Sequence, residues 1–141
     1  MKHLLFICAV VLSVFTVACV DSKTKSELKA VILEQLKAFE NEDIDAAMDT
    51  LAETDPVKLA AARETYEDLF EKVDVSYKLV SFKVISVDGD DAVIKSTIET
   101  RKIGGSAPFQ DNRTTTQSRM KKTASGWKDG GLIKIEKIET L

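Results

Sequence analysis

From Leu28 to Phe70 the apolar residues recur at spacings of three and four, and from Val73 onward they tend to alternate with polar ones. The change of period after Lys72 divides the chain into a helical half and a strand half. Leu28, Val31, Ile32, Leu36 and Phe39 form one stripe, with Ser26 ahead of it as a capping residue, so a first helix is expected from Ser26. Asn41-Glu42-Asp43 interrupts it. A shorter helix follows, with Ile44, Ala47, Met48 and Leu51 on one face and Asp43 as its N-cap. Asp55-Pro56 opens a third, because Asp caps and Pro fits the first turn, where its missing N–H costs nothing. Leu59, Ala62, Tyr66, Leu69 and Phe70 make its stripe.

In the second half, Val73, Val75, Tyr77 and Leu79 share one face, whereas Val80, Phe82 and Val84 take the other parity. A switch inside one strand predicts a bulge or sharp bend. Asp88-Gly89-Asp90 reads as a tight turn into a second strand over 92–102. Gly104-Gly105-Ser106-Ala107-Pro108 is a looser connection. A third strand is expected over 109–122 despite its polarity, since Thr114-Thr115-Thr116 favours extended backbone. Ala124-Ser125-Gly126 turns into a last strand over 127–138, interrupted at Asp129-Gly130-Gly131. Three N-terminal helices packed on a curved four-stranded antiparallel sheet define an α+β domain.

The residues ahead of this pattern are of another kind. Lys2 and His3 lead into an apolar run from Leu4 to Val17, broken only by Ser13 and Thr16, and Val17-Ala18-Cys19 closes it just before Asp21. That is the layout of a secretory signal. A cysteine directly after a small residue is where a lipoprotein signal is cut and acylated. The expected organisation is therefore a signal peptide over 1–18, a tether over 19–25 and a domain over 26–141. Lipidated Cys19 would hold the chain at a membrane of the cell envelope. Ordinary cleavage after Ala18 would instead give a secreted or periplasmic soluble protein. The apolar run is shorter than the roughly 20 residues that a spanning helix needs.

Lys and Arg total 20 against 23 Asp and Glu, a net charge of -3, so no basic field points to nucleic acid. The only cysteines are Cys8 and Cys19, and the only histidine is His3. Ser-His-Asp and Cys-His catalysis is thereby excluded from the domain, as is an ordinary zinc site. Asp88-Gly89-Asp90-Asp91 is the nearest approach to a calcium loop and is better read as the hairpin turn. No cofactor or metal is expected.

The stretch 31–51, with Phe39 and then Asn41-Glu42-Asp43-Ile44-Asp45-Ala46-Ala47-Met48, resembles the start of a nuclear-transport-factor-2-like (SnoaL-like) domain. Phe109-Gln110-Asp111-Asn112-Arg113-Thr114-Thr115-Thr116, Met120-Lys121-Lys122 and Gly126-Trp127-Lys128 resemble its last two strands. The resemblance implies a cone-shaped, cystatin-like roll. Its cavity serves small apolar ligands, enzymes such as ketosteroid isomerase, or binding and dimerisation modules without chemistry, and fold alone does not choose among them.

In that isomerase a tyrosine of the first helix acts with a carboxylate just after the second. Here the tyrosine position falls at Gln35, and the carboxylate segment is shortened to Glu53-Thr54-Asp55-Pro56, where Asp55 is better explained as a cap. Asp111, Arg113 and Glu99 suggest an epoxide-hydrolase set, but lie on the parity opposite Met120 and are expected to face outward. No catalytic residue is assigned. With Met120 inward, Thr114, Thr116 and Ser118 share its face, and Ser96 and Thr100 share that of Ile94 and Ile98. Hydroxyls among aliphatics suit a small-molecule pocket, and the candidate lining is Tyr66, Ser96, Ile98, Thr116, Ser118 and Trp127. Phe39 and Phe70 are expected in the core. The expected function is an exported, lipid-anchored, non-catalytic domain that binds a small apolar ligand or an envelope protein. The alternative is a carboxylate- and tyrosine-dependent isomerase, dehydratase or hydrolase. A homodimer pairing sheet faces is a third reading.

Overall fold

A computed structural model describes residues 19–141. The proposed signal over 1–18 lies outside the described residues. Seven elements follow in order: α1 (Ser22–Glu40), α2 (Ile44–Asp49), α3 (Pro56–Lys72), β1 (Asp74–Asp88), β2 (Asp91–Gly104), β3 (Asn112–Thr123) and β4 (Gly126–Thr140). The helix starts follow their caps. Asp43 accepts from Ala46 N, and Asp55 accepts from Val57 N and Lys58 N with Pro56 in the first turn. α1 begins at Ser22 rather than Ser26, because the Asp21 carboxylate accepts from Thr24 N at 2.8 Å and nothing in Lys23-Thr24-Lys25 breaks a helix. Residues 22–25, ahead of the expected start at Ser26, therefore belong to α1.

The four strands pair antiparallel in the order β1-β2-β3-β4 and curve around α1. Leu28, Val31, Ile32 and Leu36 of α1 pack on Ala92, Ile94, Met120 and Trp127, with Tyr77, Leu79, Phe82, Val84, Val87 and Ile98 around them. This face of the sheet is concave and apolar. α3 contributes no buried residue.

The parity switch in β1 is a bulge. Leu79 pairs with Ile98 and Ser81 with Thr97, so Val80 is the extra residue and Phe82 returns to the inner face opposite Ser96. A second shift leaves Ile85 unpaired. β4 has three shifts, with Gly130, Ile133 and Glu136 as the extra residues. Their effect is to keep Asp129, Leu132, Ile135 and Ile138 opposite Met120, Ser118, Thr116 and Thr114, all on the concave side. The loop after β2 crosses close to α3. At Gly105, with φ 89°, a Cβ would stand 2.5 Å from the Lys72 carbonyl oxygen, so only glycine fits.

Candidate functional site on the concave face

Three elements bring a polar group to the concave face. Gln35 projects from α1, Thr50 caps the C-terminus of α2, and Asp129 sits in β4 just before its first bulge. Gln35 Nε2 donates to Thr50 Oγ1 at 3.2 Å and to Asp129 Oδ2 at 3.1 Å. Thr50 Oγ1 in turn donates to the Ala47 carbonyl at 2.6 Å. The other Asp129 oxygen accepts from Gly131 N at 2.8 Å. Backbone bonds clamp the same spot, with Asp129 N donating to Thr50 O and Ala52 N donating to Asp129 O, each at 2.7 Å. The carboxylate is therefore fixed in direction, and half-buried. Each of its oxygens keeps a further lone pair.

Aromatic residues flank this group. Phe39 meets Tyr66 edge-on with centroids 5.0 Å apart, and Phe70 and Tyr77 lie at 6.0 and 5.9 Å from it. Burial, and secondarily the Asp129 charge, raise the Tyr66 phenol above its usual pKa. It is a neutral hydrogen-bond donor at any ordinary pH. Burial and the Glu40 charge push Tyr77 to about 12.

The far wall consists of hydroxyls and aliphatics. Ser96 Oγ lies 3.4 Å from Thr116 Oγ1, and Thr114, Thr116 and Ser118 are half-buried. Beyond them Leu132, Ile135 and Ile138 stand 59%, 51% and 63% exposed. Of the residues named from sequence, Tyr66, Ile98, Thr116 and Ser118 are half-buried on this side of the sheet, whereas Ser96 and Trp127 are buried, Trp127 against the core. Phe39 and Phe70 are half-buried in the aromatic group. A cavity of about 420 Å³ adjoins this site through Thr50, where α1 and α2 meet the β3–β4 turn, lined among others by Val31, Ala38, Asp49, Trp127 and Lys128.

Sequence reasoning missed Asp129, which reads only as the start of a glycine-rich interruption. The available signal was its parity with buried Trp127, which places it inward. The Asp111, Arg113 and Glu99 group does assemble, on the convex face. Arg113 donates to Glu99 at 3.0 Å, and Arg101 reaches Glu99 at 3.5 Å and Asp111 at 4.0 Å. The Arg113 guanidinium holds the Glu99 carboxyl below its ordinary range. Asp55 is committed to capping α3.

A concave sheet closed over by helices, with polar groups set into an apolar wall, is the nuclear-transport-factor-2-like roll. A ketosteroid isomerase-like protein from Erwinia carotovora atroseptica shares it at 21% identity, with a TM-score of 0.58 over 81% of this chain and 99% of that one. A cystatin-like protein of unknown function from Nostoc punctiforme matches at 12% identity, with a TM-score of 0.64 over 86% and 93%. A protein assigned as a dehydratase of the NTF2-like family, from Streptomyces avermitilis, matches at 16% identity, with a TM-score of 0.63 over 78% and 93%. These identities establish the fold alone. Within that fold, the chain belongs to the family of the anti-sigma-I factor RsgI9 C-terminal domain, whose model matches residues 30–141. No curated protein matches it.

Proposed function

We propose that the concave face binds a small, largely apolar molecule and receives its one hydrogen-bonding group beside Asp129 and Tyr66. The observation that carries this reading is the wall itself. Leu132, Ile135 and Ile138 face the concave side yet stand more than half exposed, in register with Ser118, Thr116 and Thr114. Apolar side chains gathered on a concave surface with a few oriented polar groups are what a ligand site requires. Covering the exposed halves of these three is worth about 2–5 kcal/mol before the costs of association. The family's name, that of a domain in a regulatory anti-sigma factor, supports binding as the role. The test is solvent extraction of the purified full chain followed by mass spectrometry. A stoichiometric apolar molecule, lost in a folded Ile135→Glu variant, is the expected result. Its absence from the unaltered protein, or its equal retention by the variant, would count against the reading.

A second reading uses the same site for chemistry. Asp129 supplies the inward carboxylate that the sequence had not offered, and Tyr66 the neutral phenol. A carboxylate that takes a proton while a phenol steadies the developing oxyanion is the acid–base pair of an isomerase, dehydratase or hydrolase. Asp129→Asn separates the two readings, because it would leave binding of the extracted molecule intact while abolishing any turnover of it.

The chain's location is part of the proposal. Acylation of Cys19 after removal of 1–18 is supported by the Val17-Ala18-Cys19 pattern and by the exposure of Cys19 two residues ahead of the Asp21 cap. A Cys19→Ala variant that stayed in the membrane fraction with undiminished lipid labelling would remove this part.

A further inference from the structure

Away from the concave face, the edge of the sheet beside the start of α1 carries an unusual mixture. Lys25 and Lys29 of α1 stand against Leu79, Val80, Ser81 and Phe82 of β1 in one shallow depression. On the convex side of the same edge are Lys78 and Lys83. None of these four lysines has an ion-pair partner among the described residues, although the chain as a whole is net -3. Lys83 is also placed directly opposite Lys95, an arrangement of like charges that costs stability unless an anion relieves it. Glu136 pairs with Lys95 and leaves Lys83 alone.

Three of the neighbouring acids are already engaged, whereas Asp88 and Asp90 lie beyond Ile85 at the far end of the edge. Asp21 caps α1, Glu27 pairs with Lys23 at 3.9 Å, and Glu99, opposite Lys78, is held by Arg113. The two bulges of β1 add an apolar component. Val80 and Ile85, the extra residues, are each 44% exposed. Lysines and bulges on an edge strand protect it from pairing with other sheets. That protection accounts for Lys78 and Lys83. It does not account for the α1 lysines, nor for bulge residues that are aliphatic rather than polar.

We infer that this edge lies against an anionic phospholipid surface, with the lysines at the headgroups and Val80 and Ile85 at the interface. The inference rests on the proposed anchoring through Cys19, which would place the patch within reach of the bilayer. Lys25 is one turn into α1, about 6 Å along the axis from the Asp21 cap. A lipid anchor joined to a cluster of basic residues is a two-signal attachment, and each signal strengthens the other. The domain would then be held edge-down, and its concave face kept off the membrane.

The test uses mature protein extracted from its own membranes and reconstituted into vesicles of phosphatidylcholine alone or with phosphatidylglycerol added. Backbone hydrogen exchange is followed in both. Slower exchange around Lys25–Lys29 and Val80–Ile85 only with phosphatidylglycerol, and its reversal by salt, is the expected result. The triple variant Lys25→Gln, Lys29→Gln, Lys83→Gln should lose this protection. Without the acyl chain, its affinity for phosphatidylglycerol vesicles should fall on the order of a hundredfold. Protein anchored in both vesicles with identical exchange would overturn the inference and leave the anchor standing. Protein that enters neither vesicle would overturn the anchor. The patch would then stand or fall on whether the unacylated chain cosediments with phosphatidylglycerol vesicles in a salt-sensitive manner that the triple variant loses.

Discussion

Removing the Asp129 carboxylate tests the polar group at the heart of the proposed site. Asp129→Ala deletes the acceptor for Gln35 Nε2 at 3.1 Å and for Gly131 N at 2.8 Å. Bonds to a charged acceptor contribute about 1.5–3 kcal/mol each, and the lower half of that range applies to a half-buried group. The expected loss is about 3–4.5 kcal/mol of unfolding free energy, read by urea denaturation followed by circular dichroism. Gln35→Ala removes the same bond to Asp129, together with one to Thr50, so the two single losses overlap. A double-mutant cycle should return a coupling of about 1 kcal/mol. Removal of the charge alone, in Asp129→Asn, has a spectroscopic signature. The Asp129 charge helps to raise the Tyr66 phenol, and burial does so more strongly. Phenolate absorbance should therefore show Tyr66 titrating lower in Asp129→Asn, though still above its ordinary value. Single losses that add to within about 0.5 kcal/mol, with an unmoved Tyr66 titration, would refute the placement of Asp129 on the concave face.

Other consequences follow from the packing and the charges. Met120 has no exposed surface and packs from β3 into the core cluster with α1, so Met120→Ala should cost about 2–5 kcal/mol in the same assay. Gly105→Ala should lower the thermal midpoint by an amount equivalent to more than about 1 kcal/mol, because its Cβ meets the Lys72 carbonyl and φ is positive. Tyr77 is held protonated to about 12 in the folded chain, above its unfolded value near 10. Its contribution is complete below about pH 10 and is lost as the pH rises through 12. Denaturation across that window should show the unaltered protein losing on the order of 1–2 kcal/mol relative to Tyr77→Phe, after allowance for its partial exposure.

The order of elements was legible because each signal was local. The spacing of Leu28, Val31, Ile32 and Leu36, the Asp43 and Asp55-Pro56 caps and the Asp88-Gly89 turn all sit within a few residues of what they determine. The Val80 bulge was legible too, since the hydrophobic parity changes there. The second bulge of β1 left no such mark, because Val84 and Ile85 are both apolar and either fits the inner face. β4 hid the candidate site for a related reason. Leu132, Ile135 and Ile138 fall three residues apart, a helical spacing, and only the extra residues Ile133 and Glu136 return them to one face of a strand. Alternation therefore could not show the aliphatic wall, and Asp129 was masked by the glycines that follow it. Trp127 follows a turn, where an aromatic residue reads equally as pocket lining or core. It is 6% exposed among Leu28, Ile94 and Met120, and it also lines the cavity beside Thr50. Bulges are decided by cross-strand pairing, which is a property of two strands together.

The most direct test of a ligand-binding concave face is a crystal structure of the protein purified from its own cells without denaturation. The account predicts density for a small, mostly apolar molecule along Thr116, Ile135 and Leu132, with a polar end beside Asp129 and Tyr66. A concave face that holds no molecule, with Leu132, Ile135 and Ile138 instead covered by another protein surface, would contradict it.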